Sequence, residues 1–383
     1  MSDVVIVGAA RTAIGTARKG SLANTPAEKM AVTAIRAAVE RSGLAPDQID
    51  DVVLAESLYG GGAVARHAAV ELGMTRAAGM ALNRHCAGSL TALGVAAGTI
   101  MAGMERVMVA GGVNSSSMSP RMQQFDPASG EMRDWWPPTH PDTPEAPNRD
   151  MSITVGWNTA VRAGITREDM DAWALRSHRN AIRAIDEGRF DAEIVAIDTP
   201  HGRFSVDEHP RRETSMEKLA SLKPLHPEIE GFSITAGNAS GANDGAAALV
   251  VASDRLGLPA LATVRSWASV GVDPADTGLA PVQAIPKALS RAGLAVGDVD
   301  LFEINEAFAA MCVATVDLLG IDPERVNVNG SGCSLGHPVA ASGARMLVSL
   351  VHELRRRGGG IGVAAMCAGG GMGSATVIEV PAP

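Results

Sequence analysis

Cys367 closes an apolar run and is followed at once by glycines, in "VAAMCAGGGMG" from Val363 to Gly373. Glycine is costly to order, so such a cluster marks tight backbone geometry or close approach to something. A second cysteine, Cys86, leads the small-residue stretch "CAGSLTALGVAAGTIMAG", where a helix is expected to about Gly103. A helix N-terminus offers unpaired N–H groups and a positive dipole end, which lower a thiol's pKa and stabilise oxyanions. His337 lies in the glycine-rich "NVNGSGCSLGHP", and the proline after it keeps it extended and outside the following helix. Asn305 and Glu306 stand at the end of the strand-like "LFEINE". Together these are a nucleophile candidate, a base, an amide and a second thiol: the parts of covalent catalysis with a proton to move. Each alone also has a structural reading, as a buried thiol, a hydrogen-bonding loop histidine or a helix cap. Their joint placement at glycine-rich ends of strands separates the two.

The elements that position them repeat. Residues 34–56, "AIRAAVERSGLAPDQIDDVVLAE", match residues 284–306, "AIPKALSRAGLAVGDVDLFEINE", at a constant offset of 250 (284 minus 34), with nine of 23 positions identical. Both copies describe an amphipathic helix stopped by glycine (Gly43, Gly293), a short loop and an apolar strand. Each half then carries a strand ending in glycines, "ERVMVAGG" and "IGVAAMCAGGG". Two duplicated α/β halves are predicted. Between them, roughly from Val113 to Asn243, runs an excursion of a different kind. It holds the proline-rich "DWWPPTHPDTPEAP", which cannot be regular helix or central strand. It also holds a long helix with Thr166 as its N-cap and Gly188 as its stop. Ligands bind where strands of such sheets end and such excursions fold over.

The totals narrow the function. At 383 residues, two to three structural units are expected. With 42 glycines and only 3% aromatic residues, small-residue packing of helices on a sheet is favoured. The formal charge of −9 argues against nucleic acid or an anionic membrane as the main partner. No signal peptide and no run of about 18 apolar residues is read, so membrane insertion is not expected. The four cysteines form no C-x-x-C pair, so free thiols in a reducing cytoplasm are expected, with neither disulfide nor metal site.

The chain resembles the thiolase family, the coenzyme A-dependent acyltransferases that make or cleave 3-ketoacyl-CoA. The likeness runs nearly end to end, through "VIVGAARTAIG", "LRSHRNA", "EGRFDAEIV", "MEKLASLKP", "TAGNASGANDGAAAL", "NEAFA", "GHP" and "CAGGGMG". It implies the thiolase-like α/β fold: two duplicated halves with mixed five-stranded sheets, layered αβαβα, plus an inserted loop domain. The halves would be 1–114 with 243–256, and 257–383, with the loop domain at 115–242. It also implies roles. Cys86 resembles the nucleophile that becomes the acyl-enzyme, and His337 the group that activates it. Asn305 resembles the holder of a water, and Cys367 the acid/base at the substrate α-carbon. The N–H groups of Gly369 and Cys86 resemble an oxyanion hole. Arg211, Ser240, Lys218 and Met151 are expected to contact coenzyme A or the acyl chain. Coenzyme A and acyl-CoA enter as substrates, no tightly bound cofactor is expected, and the assembly would be a homodimer or homotetramer.

Departures from the family pattern bear on the acyl group. Cys86-Ala87-Gly88-Ser89 stands where Cys-x-Ser-Gly is usual, and Cys333 and Ser334 replace small or apolar residues. Ala340 replaces a common glycine, and Asp150 precedes Met151 where short-chain members often carry histidine. A decarboxylating ketosynthase would share the fold and Cys86, but would need a second histidine at Asn305 and no cysteine at 367. A degenerate, acyl-CoA-binding relative would keep the fold without turnover.

Overall fold

The computed structural model describes residues 3–57 and 62–382. The chain opens with β1 (Val4–Thr12), α1 (Ala27–Ser42), β2 (Asp51–Ala55) and β3 (Met80–Leu82). Next come α2 (Gly88–Met101), which starts two residues after Cys86, and β4 (Val107–Ser115). There the chain leaves the sheet. A hairpin pairs Gln123–Asp126 with Glu131–Asp134, and an irregular proline-rich run leads to the turn Ser152–Trp157. α3 (Arg167–Asp186) follows, and Thr166 caps it by accepting the Asp169 N–H while Asp169 accepts the Thr166 N–H.

The chain then returns as β5 (Asn243–Ser253), buried along its whole length, which inserts antiparallel between β1 and β4. The second half repeats the plan: β6 (Ala262–Gly271), α4 (Ala280–Ala292), β7 (Leu301–Ile304), α5 (Ala309–Leu319), α6 (Ser342–Arg356), β8 (Gly360–Ala368) and β9 (Met372–Val380). α1 and α4, the helices of the internal repeat, both end on left-handed glycines, Gly43 (φ 71°) and Gly293 (φ 70°). The strand order is β7-β8-β9-β6-β1-β5-β4-β2-β3. A two-residue ladder, Val5↔Thr263 and Ile6↔Ala262, joins the sheets of the two halves. Among the described residues, five strands on this path belong to the first half and four to the second, and the two-residue strands Gly15–Thr16 and Ile194–Val195 pair off the path with β5 and β1. In the second half Phe302 makes a parallel bridge to Val326.

Strand alternation sorts side chains into three cores, which is what a five-layer stack requires. Val5, Val52, Leu54 and Val109 face α1, whereas Ile6, Val53 and Met108 face inward towards α2 and α6. In β8, Ala364 and Met366 join that inner core, while Val363, Ala365 and Cys367 face the opposite side with α4 and α5. α2 and α6 cross closely at Gly343, where an added Cβ would lie 2.7 Å from the Leu90 nitrogen. Ser89 ties the crossing by accepting the Ala344 N–H at 2.9 Å. The excursion is pinned to the first half by a buried ion-pair cluster. Arg11 donates to Glu193 at 2.6 Å and to both oxygens of Asp207 at 2.8 Å.

Candidate active site

Between β3 and α2 the chain makes one tight turn, His85–Ala87, with Cys86 at its centre. His85 takes a left-handed backbone conformation (φ 46°), and its carbonyl accepts the Ser57 hydroxyl at 2.8 Å. Gly88 fits under the turn because a Cβ there would approach that of Ala55 to 2.6 Å. The order Gly88-Ser89 therefore has a local reason: position 88 faces β2, and position 89 faces α6. The Cys86 sulfur accepts N–H groups from Gly369 and from its own residue. Burial nevertheless outweighs both and pushes the thiol up to about 11. This corrects the expectation that the helix end alone lowers its pKa. Two N–H donors do not replace the water that burial removes.

Cys367 lies on β8, two residues before Gly369, and is fully buried with Met311 Sδ 3.4 Å from its sulfur. Burial, with the nearby Cys86 as a second cause, holds its thiol well above the ordinary range. The glycines behind it turn the chain into β9. Gly370 and Gly371 take φ of 90° and 75°, and a Cβ on Gly371 would come within 2.2 Å of the Val272 carbonyl. No other residue type meets both demands.

His337 enters from the loop ahead of α6, its backbone N–H held by Asn243 Oδ1 at 2.9 Å. Its Nδ1 lies 2.6 Å from the Ser342 hydroxyl, which is itself 3.0 Å from the Pro338 carbonyl. A hydroxyl has one proton, and the carbonyl can only accept it. Ser342 therefore accepts Nδ1–H, and Nε2 is left as the basic nitrogen. Burial, followed by the charge of Arg345, lowers His337 to about 3, so the ring is neutral at physiological pH. The Asn305 side-chain amide lies 3.4 Å from the ring nitrogens, and its Oδ1 is buried with no partner among the described residues. An unpartnered buried acceptor of this kind suits a bound water or substrate hydrogen.

Glu306, the neighbour of Asn305, anchors this floor. It accepts from Trp173 Nε1 (3.0 Å), the Ser177 hydroxyl (2.5 Å), Asn327 Nδ2 (2.9 Å) and the Cys333 N–H (3.0 Å). Ser334 extends the web, 2.7 Å from Ser177. Cys333 and Ser334 thus serve the scaffold that joins α3 to the end of β7. Asn243, Ser342 and Ser177 escaped sequence reasoning. Ser342 stands five residues after His337, and no motif marks it.

The structure joins Cys86, Gly369 and Cys367 in one group, and His337, Asn305 and Ser342 in another, both where β8 and α6 pack on the Cys86 turn. A cavity of about 480 Å³ opens onto Cys86 and Gly369, lined further by His85, Trp136, Arg149 and Met151. Trp136 therefore lines the cavity, while Trp173, on α3, is buried with its N–H on Glu306. Arg211, Ser240 and Lys218 do not line this cavity. The Arg211 N–H donates to His178, Ser240 bonds Ala307 through its backbone, and Lys218 is exposed 3.9 Å from Glu213. Among the described residues there is no cluster able to hold a metal ion and no helix long and apolar enough to cross a membrane.

The thiolase N-terminal domain family matches residues 4–255 and the thiolase C-terminal domain family residues 258–380. Acetyl-CoA acetyltransferase of Pseudomonas aeruginosa is 42% identical, over 99% of this chain and 99% of that protein. 3-Ketoacyl-CoA thiolase of Bacillus subtilis is 37% identical, over 99% and 100%. The crystal structure of human mitochondrial 3-ketoacyl-CoA thiolase in complex with CoA superposes with a TM-score of 0.90 at 32% identity, covering 99% of this chain and 98% of that one. With both domain families matched in order across its length, and the halves stacked as described, the chain belongs to the thiolase family.

Proposed function

We propose that this chain is a thiolase-type acyl-CoA C-acyltransferase that makes and cleaves 3-ketoacyl-CoA through an acyl-Cys86 intermediate. The observation that carries the reading is the hydrogen bond from Gly369, in the second half, to the sulfur of Cys86 in the first. It supports a reading in which an acyl carbon on Cys86 would have two N–H donors and Cys367 close by.

His337 Nε2 takes the Cys86 proton as the sulfur attacks the acyl-CoA carbonyl and keeps it, while the departing coenzyme A thiolate leaves with the Cys367 proton. A second acyl-CoA then binds. Cys367, now the thiolate, removes its α-proton, while Nε2–H of His337 and a water on Asn305 hold the enolate oxygen. The carbanion attacks the acyl carbon, the N–H groups of Cys86 and Gly369 hold the new oxyanion, and the C–S bond to Cys86 breaks as its sulfur takes the proton back from His337. Thiolysis runs the same steps backwards. Because both thiols rest protonated, each proton must move together with bond formation.

The excursion 115–242 would carry coenzyme A, with Arg211, Lys218 and Ser240 along its path and Met151 beside the thioester. The halves would be 1–114 with 243–256, and 257–383. A homodimer or homotetramer fits the exposed Phe125 and Met132 of the hairpin, and four free thiols fit the cytoplasm. The test is peptide mass spectrometry after incubation with acetyl-CoA. Label on Cys86 is expected; Cys367→Ala should keep that label and lose about 10²- to 10⁴-fold in condensation. Label on another cysteine, or near-full condensation by Cys367→Ala, would refute the assignment. Stoichiometric acyl-CoA binding without any label would leave a degenerate relative.

A further inference from the structure

Among the described residues, the wall of the cavity in front of Cys86 includes one arginine, Arg149. No carboxylate among the described residues comes within ion-pair distance of it. The acids nearby are committed elsewhere. Asp150 holds His226 at 2.7 Å and the Ser152 N–H at 3.0 Å, while Asp142 accepts the Asn148 N–H at 2.6 Å. Asp142 feels the Arg149 charge only as a lesser influence. The guanidinium carbon lies 6.0 Å from the centre of the Trp136 ring, at the outer limit of a cation–π contact. Asn148 fixes the backbone just before it, accepting the Thr139 N–H at 2.8 Å and donating to the His140 carbonyl at 2.8 Å. Arg149 is exposed at the rim of this pocket wall beside the likewise exposed Trp136, and an arginine so placed, with no acid within ion-pair distance among the described residues, is available to receive an anion.

We propose that the acyl group accepted at Cys86 carries a terminal carboxylate, which Arg149 binds while Trp136 covers the methylene chain. The inference rests on the acyl-Cys86 reading above. The cavity is the acyl side of the site, because it reaches Cys86 and Gly369 yet excludes Arg211, Ser240 and Lys218, the residues placed along coenzyme A. Its other walls, including Met151, Val339 and Trp136, suit methylene groups. Its size is ample for a short dicarboxylic chain. No acidic side chain among the described residues lines it to repel one. The same guanidinium could serve a coenzyme A phosphate, and the experiment separates the two anions.

Acylation of Cys86 is followed by coenzyme A release and peptide mass spectrometry. Succinyl-CoA and glutaryl-CoA are compared with butyryl-CoA and pentanoyl-CoA, their uncharged counterparts of equal carbon number. The parent protein should prefer the carboxylated member of each pair. Arg149→Met should lower the carboxylated-to-neutral ratio of kcat/KM about 10- to 100-fold, the range for a hydrogen bond to a charged group. Arg149→Lys should keep part of the preference, and Arg149→Glu should invert it. A ratio unchanged by Arg149→Met would overturn the proposal. An equal loss for charged and neutral acyl groups would also overturn it, and would assign Arg149 to the phosphates. If none of the four labels Cys86, the acyl-enzyme reading itself fails. If only the neutral pair does, that reading stands and this inference falls.

Discussion

Replacing Ser342 by alanine removes one oxygen, 2.6 Å from His337 Nδ1, from a site where both residues are buried. The ring must then leave Nδ1–H unpaired or move the proton to Nε2, the nitrogen that has to accept from Cys86. An unsatisfied buried donor costs about 1–3 kcal/mol, which corresponds to about 5- to 150-fold in rate if the whole cost falls on proton transfer. The assay is rapid-quench acylation of Cys86 by acetyl-CoA over a range of concentrations. The limiting acylation rate should fall by that factor while the concentration for half-saturation stays, because Ser342 does not line the substrate cavity. Ser342→Thr, which keeps the hydroxyl, should recover most of the rate, a result that a purely structural role does not require. Acylation within twofold of the parent in a folded Ser342→Ala protein would refute the tautomer argument.

Two further outcomes are expected. With the Cys86 thiol near 11, only about 0.1% is thiolate at pH 8, so alkylation of the unliganded protein by iodoacetamide should rise about tenfold per pH unit from 7 to 9; a plateau below pH 8 would show an already ionised thiol. Arg11→Met leaves Glu193 and Asp207 buried together without their cation and should lower stability by about 3–5 kcal/mol, read as a reduced urea midpoint; an unchanged midpoint would mean the cluster contributes no net stability.

The internal repeat was legible because the glycines that stop α1 and α4 and the alternation of β2 and β7 are local features, set by neighbouring residues alone. Cys367 and His337 stood out as candidates for a related reason: each lies beside glycine or proline where a regular element ends. What stayed hidden depends on how the chain folds back on itself, over a few residues or over many. The acceptor for His337 Nδ1 is fixed by the first turn of α6, and the Glu306 web needs α3, which stands about 130 residues earlier (Trp173 to Glu306, 306 minus 173). The raised Cys86 thiol is likewise a property of enclosure. The sequence places the sulfur at a helix start, but not the protein around it that removes water.

The route of β5 has a consequence for how the chain must be made. Its residues fill the space between β1 and β4, so the first half has a gap in the middle of its sheet until residue 253 has been synthesised. Arg11, too, waits for Glu193 and Asp207. A nascent chain that has passed β4 thus carries two strands with unpaired edges facing a missing neighbour, the kind of surface that pairs wrongly. The pairing of β1 with β5 spans more than half the chain (Val4 to Ser253, 253 minus 4), and loops that long close late. The first half therefore cannot mature ahead of its excursion, and a ribosome paused within residues 116–242 would present an open sheet whose central strand is still to come.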